Sequence, residues 1–149
     1  MTLRKLFTLG IILAMFLVVP AAVHAEGIVI QWNLYSDPGA DNLILESSVG
    51  DQSSWSEIEA TIATTATVQA VAPPTTIPAK GVRVWYKMFA ENTSSGEKSD
   101  PSNVVSYLWK SDGTGQIGLQ SPGGVGFLDC TASGLTTEET NACAAATGM

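Results

Sequence analysis

Histidine occurs once in the 149 residues, at His24. Residues 25–149 therefore carry no imidazole, which excludes Ser-His-Asp and Cys-His nucleophile pairs, the H-E-x-x-H motif and His-ligated zinc from that part of the chain. Cysteine is nearly as scarce. Cys130 and Cys143 lie thirteen apart with no His nearby and match no metal-ligand spacing, and no C-x-x-C-H is present for covalent haem. Basic residues are few, seven against 14 acidic ones, for a formal charge of −7. Only one long apolar run exists, Leu6–Val19, and at about 14 residues it is too short for a comfortable bilayer span. No phosphate-binding loop is credible, because Gly113-Thr114-Gly115 is followed by neither a Lys nor an amphipathic helix.

What is present begins with a leader. Arg4 and Lys5 precede the apolar run, and Pro20 and the small-residue site Val23-His24-Ala25 follow it, the layout of a secretory signal peptide spanning residues 1–25. An uncleaved anchor is the alternative; no Cys follows the site, so a lipid anchor is not expected. Without residues 1–25 the chain keeps Lys80, Arg83, Lys87, Lys98 and Lys110 against all 14 acidic residues, a formal charge of −9. That balance argues against nucleic acid or anionic lipid as partner. The expected destination is secreted, extracellular or periplasmic, with no stable membrane span after cleavage. Two exported cysteines are then most simply a Cys130–Cys143 disulfide, which stabilises by roughly 3 kcal/mol through the loop it closes.

Between leader and tail the pattern is one of short strands. Gly27–Leu34 alternates through Ile28, Ile30 and Trp32, with Trp32 assigned to the core. Ser36–Asn42 is a turn, and Leu43 and Leu45 alternate with Ile44 and Glu46 in a second strand. Trp55 and Ile58 start an edge-like third segment, Ala60–Val71 is rich in Thr, Ala and Val and favours extended structure, and Pro73–Pro78 is a loop. The strongest strand puts Val82, Val84, Tyr86, Met88 and Ala90 on one face, and Val104–Trp109 closes the sheet with Val105, Tyr107 and Trp109 inward. Short strands with Pro/Gly turns imply an all-β antiparallel sandwich.

The run Tyr86, Met88, Ala90, Asn92, then Gly96 and Pro101-Ser102-Asn103-Val104-Val105, resembles the last hairpin of a fibronectin type III domain. Trp32 resembles the core Trp of the family's second strand, and Leu43–Ser48 followed by Trp55 resembles its third strand and the short strand after it. The resemblance covers about residues 28–109 and implies a domain over 26–109. Two departures stand out. The place of the family's corner tyrosine falls on Val84, which has no hydroxyl, and nothing upstream supplies the family's first strand, leaving Gly27–Leu34 as an unpaired edge.

Residues 110–149 form a Gly-rich, disulfide-closed appendage. Its short apolar runs Gly115–Leu119 and Val125–Leu128 read equally as flexible linker or as ordered strand, and strand addition beside Gly27–Leu34 is the expectation if ordered. Thr136-Thr137-Glu138-Glu139 has capping-box form and predicts a helix over Thr137–Thr147.

Function rests on what faces outward. If Tyr86, Met88 and Ala90 are core, then Trp85, Lys87 and Phe89 face out and join Ile44 in a patch. Two readings are open: the tail covers this patch with Leu119, Val125 or Phe127, or the patch docks a protein or glycan at the cell surface with Trp85 as anchor. Asp37, Asp41, Asp51, Glu57 and Glu59 sit in turns or edges and read as solvated charge rather than as a glycosidase pair; Asp37, Asp41 and Asn42 match no strong calcium motif. Asn92-Thr93-Ser94 is a glycosylation sequon. The expectation is a non-enzymatic interaction or structural module with no cofactor and no metal. The alternatives are a homo-oligomeric fibre subunit assembled by strand addition and a carbohydrate-associated accessory of a secreted enzyme.

Overall fold

Alternating apolar residues produce nine strands in a computed structural model that describes residues 25–118 and 124–149. They are β1 (Ile28–Gln31), β2 (Asn42–Val49), β3 (Ser56–Ile62), β4 (Val68–Val71), β5 (Val82–Asn92), β6 (Glu97–Lys98), β7 (Val105–Trp109), β8 (Gly115–Ile117) and β9 (Gly126–Phe127), followed by one helix, α1 (Thr137–Thr147). The leader lies outside the described residues. Two antiparallel sheets form, one in the order β4-β1-β9 and one in the order β3-β2-β5-β7-β8, with β6 paired to β5.

The sheets face each other across one apolar core, a β-sandwich-like arrangement. Ile30 and Trp32 from the β1 side meet Leu43 and Leu45 of β2, Val84, Tyr86, Met88 and Ala90 of β5, and Val105 and Trp109 of β7. Period-2 alternation places these residues on one face of each strand. Burial of Tyr86 and Trp109, each 1 % exposed, is made tolerable by a bond between them: the Trp109 Nε1–H donates to Tyr86 Oη at 3.0 Å. Trp32 meets the same requirement by donating from Nε1 to the Ala66 carbonyl at 2.9 Å. Val84 is a buried apolar residue.

The Pro101-Ser102-Asn103 segment explains itself through hydrogen bonds. Ser99 Oγ accepts from Ala90 N and Ser102 Oγ from Met88 N, each at 2.9 Å, while Ser99 N and Ser102 N donate back to the Ala90 and Met88 carbonyls at 2.9 and 2.8 Å, so two serines flanking Pro101 satisfy the β5 backbone in both directions. Asn103 clamps Val125 from both sides, accepting its N–H at 3.0 Å and donating to its carbonyl at 2.9 Å. That clamp starts β9.

The tail joins both sheets. β9 pairs with β1 through Ile30↔Phe127 and Gln31↔Gly126, and Leu128 N donates to Val29 O at 2.9 Å. β8 extends the larger sheet beside β7. The edge beside Gly27–Leu34 is covered by the same chain, as expected of part of Gly115–Leu128, through residues 126–127; Leu119 lies outside the described residues.

α1 runs over Thr137–Thr147 as the capping box predicts: Glu139 N donates to Thr136 Oγ1 at 3.2 Å and Thr136 N to Glu139 Oε2 at 2.7 Å. Cys143 and Ala146 pack on Val29 and Val68, on the outer side of the smaller sheet. Cys130 and Cys143 form the disulfide. Gly27 is required where it stands, because a Cβ there would meet the Ala146 and Val71 carbonyls at 2.8 Å, and its N–H donates to Ala146 O at the same distance. The layers are therefore helix, small sheet, large sheet.

Candidate functional site

The outer face of the larger sheet is set by register. Directly opposed residues share a face, so the pairs Ile44↔Phe89, Glu46↔Lys87 and Ser48↔Trp85 form three rungs on the side away from the core. Trp32, Tyr86, Met88 and Ala90 lie buried on the other side.

Within that face the proposed patch residues are unequal. Ile44 is buried at 2 % exposure, whereas Trp85, Lys87 and Phe89 are each half-buried. Lys87 lies at the centre. Its Nζ sits 4.1 Å from the Trp55 ring centroid and 5.2 Å from that of Phe89, and 3.6 Å from Glu46 Oε2. An ammonium over two rings is attracted by both quadrupoles, and its aliphatic stem covers apolar surface beneath it. Ser48, opposite Trp85, is buried with its hydroxyl bonded to the carbonyls of Asp51 and Ser54, the latter at 2.6 Å.

Among the described residues the tail does not cover this face; Leu119 lies outside them. Val125 is in the core beside Trp32, and Phe127 packs against Tyr86 and Tyr107 with ring centroids 6.3 and 5.8 Å away. β8 and β9 add to sheet edges instead of lying across the sheet. Trp55 was not legible as a patch member from the sequence. The signal was there in its period-2 relation to Glu57, but only the Glu46↔Glu57 register shows which way that face points.

The acidic residues sort by local bonding. Asp41 accepts from Thr93 N at 2.9 Å and Thr93 Oγ1 at 2.7 Å, and these bonds hold its carboxyl below the ordinary range. Asp51, Asp112 and Asp129 are lowered in the same way by Ser53, Thr114 and Thr131. Each closes its own turn. Asp37 receives Gly39 N at 2.8 Å. The sequon amide is also engaged, as Asn92 Nδ2 donates to Gly39 O at 2.8 Å. Among the described residues no group of three His, Cys, Asp or Glu is placed to hold a metal ion, and no helix is long and apolar enough to cross a membrane.

A second concavity opens where the sheets part, between β3 and β4. It encloses about 630 Å³, within the size of ligand pockets, and is lined by Leu45, Val71, Pro73, Val84 and Tyr86, with Glu59 as its charged member. No family model, curated protein or solved structure matches this chain.

Proposed function

We propose that the protein is an exported, non-enzymatic, fibronectin type III-like interaction module that docks a protein or glycan through the Trp55/Trp85/Lys87/Phe89 face. The observation that supports this reading is the outer face itself: the described parts of the tail add to the edges β1 and β7, and Lys87 sits over the half-buried Trp55 and Phe89 rings on the face that also carries half-buried Trp85. Aromatic anchors beside a cation suit recognition of protein surfaces and sugar rings. The family reading is supported by the order of elements. β1 stands for the second strand, β2 and β3 for the third and the short strand after it, β5 and β7 for the last hairpin, and β9 fills the side where the first strand is missing. Export is supported by the leader pattern and the disulfide.

The test is retention of the purified protein on arrays of glycans and on intact cell-surface preparations, compared with Trp85→Ala and Lys87→Glu. The expected result is retention that both substitutions reduce at least roughly tenfold, as for interface anchors, while thermal melting stays within a few degrees of the parent. Equal retention of parent and variants would show that this face is not the docking surface.

A further inference from the structure

The cleft between β3 and β4 is bounded by two free sheet edges, since β4 ends the smaller sheet and β3 ends the larger one. Trp32 N donates to Thr67 O at 2.9 Å, and with this register the Thr67 carbonyl and the backbone groups of Gln69 and Val71 point toward β1. Alternation then turns those of Val68 and Ala70 to the open side. There the Ala70 carbonyl is bonded by the side-chain amide of the neighbouring Gln69, at 3.1 Å, where a strand would otherwise stand. Gln69 also lines the cleft. A side chain thus holds the acceptor that an added strand would use, and can rotate away from it.

Charge decides what kind of strand fits. The β2–β3 register shifts twice, once between Leu43 and Leu45 and once between Leu45 and Glu46; at the latter Glu57 opposes Glu46 while Glu59 opposes Leu45, so Ile58 forms a bulge. The bulge reverses the alternation: Glu57 stays on the outer face, with Lys98 at 3.2 Å, and Glu59 turns to the inner side, among the cleft residues. Among the described residues Glu59 has no cation partner and no basic residue lines the cleft. A second copy, acidic itself, brings no match.

We propose that this cleft is a second binding site, which takes an extended apolar segment of a partner protein carrying a Lys or Arg. The segment pairs with the Val68 and Ala70 backbone, puts apolar side chains against the exposed cleft residues Val49 and Ile58, and sets its cation against Glu59. Backbone pairing supplies affinity and the alternate pockets supply specificity.

The test uses the purified protein and an acetylated, amidated Val-Thr-Val-Thr-Val-Lys peptide, followed by amide chemical shifts. Expected are saturable shifts at Val68, Gln69, Ala70 and Glu59, lost when the peptide is N-methylated along its backbone. Binding should weaken roughly fivefold when its Lys becomes Glu, and Glu59→Gln should erase that preference. Trp85→Ala should leave all of this unchanged, which separates this site from the outer face. The proposal is overturned by an absence of saturable shifts, by equal binding of the N-methylated peptide, by shifts confined to the Trp85 face, or by sedimentation showing that a second copy already occupies the cleft.

Discussion

Tyr86 shows how much of this core depends on one polar atom. Its hydroxyl is the acceptor for the buried Trp109 indole, and burial raises its own pKa far above the ordinary 10. Replacement by Phe keeps the ring contacts with Phe127 but leaves the Trp109 N–H without a partner. Tyr86→Phe should therefore cost about 1–3 kcal/mol, read as a lowered urea midpoint with an unchanged slope; a midpoint equal to the parent's would mean the indole finds another acceptor. Alternation along 82–90 made Tyr86 legible as core, because a strand has only two faces. Its bond to Trp109 was not legible, because it joins positions 23 apart whose register is set by the sheet.

Among elements, α1 is the least able to stand alone. It offers the sheet mainly Cys143 and Ala146, small side chains that bury little apolar area. Two tethers compensate: the disulfide to Cys130, and Glu138, which accepts from Thr67 N at 3.1 Å and Thr67 Oγ1 at 3.2 Å. Replacing both cysteines by Ser should destabilise by roughly 3 kcal/mol and make the α1 amides exchange faster than those of β5. Retained protection in α1 would show that packing alone holds it. The helix limits were readable from Thr136, Glu139 and Gly148, since capping is local; its seat on Val29 and Val68 was not, since small side chains such as Cys143 and Ala146 mark no particular partner.

At the scale of the whole molecule, the tail completes the smaller sheet. Deleting residues 111–149 removes β8, β9 and α1 together and strips one edge and one face from β1. Amides of Ile28–Gln31, protected in the full protein, should then exchange rapidly, and the shortened chain should associate in sedimentation through the bared edge. Unchanged exchange would mean that β9 is not what protects β1. The full protein should sediment as a monomer, because its β1 edge is already paired within the chain.

The sequence by itself determined the mostly β character, the faces of β1, β2 and β5, the disulfide and the helix, because each follows from a period of two, a cap, or the pairing of two scarce residues. It also leaves residues 25–149 without an imidazole, since they hold no histidine. Only the tertiary structure decided where the tail goes, that Lys87 rests on Trp55, that Ile44 is hidden, and that a bulge at Ile58 turns Glu59 toward the cleft. These depend on which strands become neighbours and in what register. Those are properties of pairs far apart in the chain, and local pattern carries no record of them.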